Sequence, residues 1–327
     1  MQARKENMER MAEVVVESDE QVLQHFLSNS NWGERGVLDQ VALGADELLG
    51  GSEETALLID ESGITKKGKK SVGVARQWNG RLGKVDNCQV GVYAALSRGR
   101  LSTLIDTRLY LPSCWVQDKA RCEAAQVPPK VRQSKSKPEL ALDMVRHNRR
   151  LGVRFCWVGA DGLYGNDPAF LRALEDDGEI FMVDVHKDQR IYLEDPQPAT
   201  PGSASGKGRK CTRPVAQCAS VRVDQWLKAQ PETAWKRVTL RDSSKGKLRV
   251  EILHQRVWSW NGKEAKARHW YLIVRREVGA HEEIKYSLSN APEKTSLRRL
   301  AQMQGQRYWI ERSFQDGKSQ AGLDHYQ

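Results

Sequence analysis

A chain of 327 residues is long enough to bury a sizeable core, in one large domain or two smaller ones. Lys and Arg number 52 against 42 Asp and Glu, and the net charge of +10 points to a polyanionic partner, nucleic acid first, with a basic surface of no partner as the plain alternative. No run of about 18 apolar residues occurs, so no membrane span is expected. The N-terminal MQARKENMERM is charged and has no apolar signal core, which reads as a cytoplasmic location. Six cysteines form no CxxC pair and no His pair stands at finger spacing, so they read as reduced, mostly buried thiols rather than zinc ligands.

Residues 1–50 are polar with scattered apolar positions. Val22, Leu23, Phe26 and Leu27 stand at helical spacing, as do apolar positions between Ala42 and Leu49, and Trp32 reads as a packing residue of this helical N-terminal segment. Thr55–Asp60 (TALLID) then predicts a strand that ends on an acid. Gln89–Leu96 and Ser102–Leu111 predict two more, joined by the turn SRGR, so that three strands follow one another as a meander. Between the first two lies TKKGKKSVGVARQWNGRLGK, basic and rich in glycine, a surface loop or hairpin.

Val127–Pro138 is a basic loop containing proline, and Glu139–Arg150 a helix with Leu140, Leu142, Met144 and Val145 turned inward. Phe155–Ala160 (FCWVGA) is a continuous apolar run, read as a buried strand ending at Asp161. A turn, GLYGND, leads to a helix from Pro168 to about Asp177, and Glu179–Val185 is a further strand. Three strands, helix, strand, helix, strand make a mixed α/β sheet over residues 51–185. Residues 186–292 differ: Asp195–Lys210 is a Pro, Gly and Ser-rich mobile loop, and Lys236–Arg241, Leu248–Val257, Trp270–Arg275 and Glu283–Leu288 read as strands of a β-rich insertion. From Pro292 the chain turns helical to near Lys318.

Two-metal phosphodiester chemistry needs carboxylates brought from separate parts of a fold to one point. Asp60 and Asp161 each follow an apolar strand, where a carboxylate is costly unless it is paired or metal-bound; each is also the residue type that caps a turn. Glu61 is expected on the opposite face from Asp60, because side chains alternate along a strand. Near the C-terminus, Arg307, Glu311, Phe314 and Lys318 step by four, three and four and so share one helix face, a pattern that a solvated ion-pair stripe also produces.

Three segments, LLIDESGITKKGKKSVGVARQ, WVGADGLYGND and RYWIERSFQDGKSQAGLDHY, together resemble the blocks of bacterial insertion-sequence DDE transposases over about Thr55 to Gln327. The resemblance implies a ribonuclease-H-like α/β core with a β-rich insertion before the third acid. The 101 residues from Asp60 to Asp161 and the 150 from Asp161 to Glu311 leave room for it. It implies that Asp60, Asp161 and Glu311 are catalytic and bind two Mg²⁺ ions, with Mn²⁺ as a substitute. Water would attack at a transposon end, and the released 3′-hydroxyl would attack target DNA. Arg307, Glu311 and Lys318 match the Arg, Glu and Lys of the family's Tyr-Arg-Glu-Lys signature. The Tyr position falls on Gln304, and Tyr308 is out of register. Arg307 and Lys318 would then contact DNA phosphates. Double-stranded DNA, as transposon ends and target, is the implied partner, with a homodimer in the synaptic complex and a nucleoid-associated location. The final segment, 293–327, reads as the core helix with the third acid, cut short of a further helical segment. Two other readings use the same residues: a different ribonuclease-H-like nuclease such as a resolvase, and a regulatory remnant that binds DNA without cleaving it.

Lys66, Lys67, Lys69 and Lys70 follow Asp60 closely and are expected to bind DNA phosphates, with a solvated loop as the alternative. Lys130, Arg132, Lys135 and Lys137 form a second basic stretch. Five tryptophans lie in the insertion; Trp258 and Trp260 alternate with Ser259, and one of them is a candidate for stacking on an extruded base, the remainder being core.

Overall fold

The apolar run that opens at Thr55 becomes the first strand of the computed structural model, which describes residues 12–13, 19–30, 33–80, 82–201, 212–243, 246–278, 283–320 and 323. The chain divides into two units, Met1–Phe155 with Tyr308–Gln327, and Cys156–Arg307.

In the first unit, β1 (Ala56–Thr65) buries Ala56, Leu57, Leu58 and Ile59 completely. It does not stop at Asp60 as its composition suggests. ESGIT pairs on, antiparallel, with Cys88–Val92 of β3 (Lys84–Arg98), so Asp60 is a mid-strand residue. β2 (Ala75–Asn79) and β4 (Leu101–Leu109) share the other edge of β3, β2 beside its first residues and β4 beside its last. The basic segment before β3 is thus the expected hairpin, and Gly99 at φ +59 makes the turn into β4.

α1 (Glu20–Ser28), capped by Asp19, and α2 (Glu34–Leu49) supply the helical N-terminal segment. Val22 and Phe26 of α1 are exposed, whereas α2 buries Ala42, Ala45, Asp46 and Leu49. Trp32 lies outside the described residues. Two short helices, α3 (Ser113–Val116) and α4 (Lys119–Ala124), escape the periodicity argument. They bury Trp115 and Cys122 beside Val127, and the Trp115 indole donates to the Val74 carbonyl at 2.8 Å. α5 (Lys137–Leu151) begins with a reciprocal capping box between Ser136 and Glu139 and ends at Gly152 in the left-handed region. It packs with α2 on β3 and β4. Buried Asp106 of β4 ties this layer together. It accepts from Arg35 of α2 at 2.8 Å and from Asn148 of α5 at 3.2 Å, and Arg108 lies 3.1 Å away.

In the second unit, β5 (Trp157–Ala160) is buried at every residue and runs parallel to β6 (Phe181–Val185). Between them come α6 (Gly162–Gly165) and α7 (Pro168–Asp176), the latter capped by Asp167 with proline at its first position. Past the two-residue strands β7 (Arg190–Ile191) and β8 (Val221–Arg222) and helix α8 (Val223–Lys228), four long strands extend the sheet. These are β9 (Lys236–Ser243), β10 (Gly246–Ser259), β11 (Arg268–Glu277) and β12 (Ile284–Ser289). They add antiparallel beyond β6 in the order β12, β11, β10, β9, so the four strands expected in the insertion are hydrogen-bonded onto β6. Trp270 and Phe181 meet edge to face at 5.1 Å inside this sheet's core. The loop expected at Asp195–Lys210 lies largely outside the described residues.

One long C-terminal helix was expected; two form, α9 (Leu297–Gln306) and α10 (Tyr308–Gln320), parted at Arg307. The parallel β5–β6 pair beside the antiparallel β1–β3 and β6–β12 ladders gives the mixed α/β class read from the sequence. The thiols depart from expectation: Cys88 and Cys122 are buried, Cys218 is intermediate, and Cys114 and Cys156 are exposed. Among the described residues no helix is long and apolar enough to cross a membrane.

Candidate active site

In the first unit, the strand register places Asp60 opposite Tyr93, so the two side chains stand on one face of the β1–β3 ladder. Tyr93 meets Phe314 edge to face at 5.2 Å. Phe314 belongs to α10, which packs on β1, β3 and β4, and Glu311 lies one turn before it on the same helix. Ser313 fastens the helix further by a 3.0 Å hydrogen bond to Ser102. The strand carrying the first acid and the helix carrying the third are therefore held together by an aromatic contact. Gly91 makes room for it, because a Cβ there would stand 2.8 Å from the Tyr93 ring. Asp60 is half-buried and Glu311 exposed.

The Glu61 backbone N–H donates to Asp60 Oδ1 at 2.8 Å. Glu61 is not set apart from Asp60 as simple alternation suggests: each offers a carboxylate oxygen within 4.8 Å of the other. Lys137 donates to Glu61 Oε1 at 3.0 Å, and Glu61 Oε2 is buried with no hydrogen-bond partner. Sequence reasoning passed over Glu61; its adjacency to Asp60 was the available signal.

In the second unit, Asp161 directly follows β5 and caps α6, its Oδ1 accepting from the Leu163 N–H at 3.0 Å. The GLYGN motif after it is explained by packing. Tyr164 is fully buried, and Gly165 lies so close to β6 that a Cβ would fall 1.9 Å from the Asp184 carbonyl oxygen. Asn166 accepts from the His186 N–H at 3.2 Å and donates to the Gly162 carbonyl. These contacts fix the turn that presents Asp161. Arg307, at the end of α9, donates to Asp184 Oδ2 at 2.9 Å, and Gln304 is buried on the same helix. In the first unit, Lys318 is half-buried with its ammonium 5.8 Å from the Phe314 ring centre. Of the four residues expected on one helix face, Arg307, Glu311, Phe314 and Lys318, Phe314 is buried.

Of the four lysines after Asp60, Lys67, Lys69 and Lys70 are exposed, but Lys66 is not: only 4% of it is accessible. The β1–β3 pairing carries on to its backbone, which donates to Asn87 at 2.9 Å, and burial pushes its ammonium below the usual lysine range. In the second basic stretch Lys135 pairs with Asp143, Lys137 with Glu61, and Arg132 donates to the Val127 carbonyl, while Lys130 is exposed. Trp258 is half-buried and stacks on His269 at 4.4 Å; Trp260 is half-buried and donates to the Glu264 carbonyl at 2.8 Å. Trp226 and Trp270 are core. A cavity of about 570 Å³ in the first unit, lined by residues including Arg35, Val72, Arg108, Leu111, Lys130 and Leu140, contains none of the three acids.

The family model for DDE superfamily endonucleases matches residues 1–247, a span that contains Asp60 and Asp161 and stops before Glu311. A curated relative from Microchaete diplosiphon, named as the probable transposase for insertion sequence element IS701, is 26% identical over 332 residues. The match covers 99% of this chain and 74% of the relative, so it includes the segment of the third acid.

Proposed function

The chain belongs to the DDE superfamily endonuclease family, with the ribonuclease-H-like α/β fold of that family, and from that premise we propose that it is a transposase that nicks DNA at transposon ends and joins the 3′-hydroxyl ends to target DNA. In this reading Asp60, Asp161 and Glu311 are the acids that hold the metal. The observation that carries it is the Tyr93–Phe314 contact, which keeps the helix of Glu311 on the strand of Asp60.

DDE endonucleases use divalent metals, and the donors here fit one. All three are carboxylates, hard oxygen ligands; two are half-buried and one exposed, which suits a cation that keeps several waters. Mg²⁺ is the ion we assign, as a pair, with Mn²⁺ as its substitute. When bound, the ions supply Lewis-acid activation of the attacking hydroxyl and stabilisation of the leaving oxygen. The chain's own residues do the rest. Asp60 is fixed by the Glu61 N–H and Asp161 by the Leu163 N–H, so neither carboxylate has to be ordered at the moment of reaction. Arg307, Lys318 and the exposed lysines Lys67, Lys69 and Lys70 hold phosphates of the duplex by charge-assisted contacts. Two copies of the chain, one for each transposon end, make up the synaptic complex, and Trp258 or Trp260 supplies a stacking face for an extruded base.

The test is a nicking assay on a plasmid carrying the DNA that flanks the coding sequence on both sides. It compares Mg²⁺ with EDTA for wild type, Asp161→Asn and Glu311→Gln. Nicking that needs both the metal and each acid, with DNA binding retained in both variants, is the expected result. Asn caps a helix as well as Asp does, so Asp161→Asn removes charge without unfolding the turn. Nicking that survives in either variant sinks the site; binding without nicking in the wild type makes the chain a DNA-binding remnant.

A further inference from the structure

Asp184 stands out in no sequence pattern, yet both of its carboxylate oxygens are engaged. On β6 it stands opposite Ser287 of β12 in the antiparallel register. The Ser287 hydroxyl donates to Oδ1 at 2.7 Å, and Arg307 Nε donates to Oδ2 at 2.9 Å. Ser287, fully buried, accepts in turn from the Gln304 amide at 2.7 Å. The donors run in one direction, Gln304 to Ser287 to Asp184, and three elements meet in the network: β6, β12 and the last turn of α9.

Gln304 and Arg307 are three apart on α9, so the same helical turn is tied to Asp184 twice, through Ser287 and directly. An arginine side chain has much rotamer freedom to lose, and its planar fork is useful against a phosphate only when its plane is set. A donor fixed at Nε sets that plane. The side chains of Asp184 and Arg307 are 19% and 15% exposed, so solvent screens this pair less than it screens a surface ion pair. Gln304 stands where the resembled signature has Tyr, and its amide supplies the donor at that position.

We propose that Asp184, braced by Ser287 and Gln304, is a positioning residue that orients Arg307 for contact with a DNA phosphate. The proposal rests on the assignment of Arg307 as a phosphate contact made above. Asp184 itself touches neither metal nor DNA in this scheme and acts only through Arg307.

A double-mutant cycle on the full chain decides it. Single-turnover nicking of the flanking-DNA plasmid with Mg²⁺, and duplex affinity by titration, are measured for wild type, Asp184→Asn, Arg307→Ala and the double variant. The expected result is a loss of about tenfold in nicking for Asp184→Asn, and less than about twofold further loss when it is added to Arg307→Ala, the non-additivity of residues that act as one unit. Equal losses in both backgrounds mean that Asp184 acts independently, and overturn the proposal. So does full activity of Asp184→Asn alongside a crippled Arg307→Ala. If Arg307→Ala alone changes neither nicking nor affinity, it is the phosphate-contact assignment that has failed, and the positioning role falls with it. Thermal midpoints are recorded throughout. Should Asp184→Asn not fold, the same cycle is run with Ser287→Ala, which removes only one brace: non-additivity with Arg307→Ala supports the proposal, and additivity overturns it.

Discussion

Tyr93 and Phe314 meet edge to face at 5.2 Å, although 221 positions separate them in the chain, and this contact joins the strand ladder of Asp60 to the helix of Glu311. Phe314 is 7% exposed, so its loss removes a buried ring as well as an aromatic pair.

Phe314→Ala is therefore expected to destabilise the protein by about 3–5 kcal/mol, the range for a large ring deleted from a core. Phe314→Leu keeps most of the volume and should cost less. Coupling between Tyr93→Leu and Phe314→Leu in urea unfolding should come to about 0.5–1.5 kcal/mol, the part of the contact beyond area. Both Leu variants should nick DNA more slowly than their stability loss explains, since the helix then seats Glu311 less firmly. Additive unfolding energies together with wild-type nicking would show that the contact does not position the third acid.

Two histidines, His254 on β10 and His269 on β11, are expected to make stability depend on pH. Burial lowers the pKa of His254, with Lys236 adding to the effect, and burial lowers that of His269, with Arg256 adding. Both folded-state values lie below the ordinary 6.5, so between them the unfolded chain binds more protons than the folded one. Stability from these residues is present above that value and falls as the solution is acidified, by at most about 1.4 kcal/mol per pH unit for each histidine. Urea midpoints measured at about pH 7.5 and about pH 5.5 should differ less in the His254→Gln, His269→Gln double variant than in the wild type. An equal difference in both proteins would place the acid sensitivity elsewhere.

Much of the fold could be read from the sequence because its strands are apolar or alternating runs with turn residues between them. TALLID, the WVGA of FCWVGA and the four segments between Lys236 and Leu288 all form strands. What could not be read was decided by partners far along the chain. β1 runs past Asp60 because ESGIT finds Cys88–Val92, and no local pattern in ESGIT announces that pairing. Lys66 looks like its three lysine neighbours in sequence and is buried by the same ladder. Arg307 shares a helical register with Glu311, yet the helix divides at that residue and the guanidinium turns to Asp184, 123 positions away. Both aspartates lie in apolar segments that a reader finds directly. Glu61 was passed over because alternation places it on the wrong face, while its oxygen lies within 4.8 Å of one from Asp60.

The buried position of Lys66 separates two effects that the lysine-rich segment would otherwise blur. Phosphate contacts by exposed lysines release counterions, and each lost contact lowers the slope of log affinity against log salt by about 0.9. Replacing Lys67, Lys69 and Lys70 together with Ala should therefore reduce the slope by about 2–3 and weaken duplex binding uniformly across sequences, with little change in thermal midpoint. Lys66→Met should leave the slope nearly unchanged. It removes the ammonium while keeping an aliphatic stem beside the β1–β3 ladder, and a buried ammonium makes no phosphate contact, so the slope should change by less than about 0.5. If Lys66→Met flattens the salt slope as much as any one of the exposed lysines does, Lys66 leaves its buried site when DNA binds. The segment after Asp60 would then have to open to take the duplex.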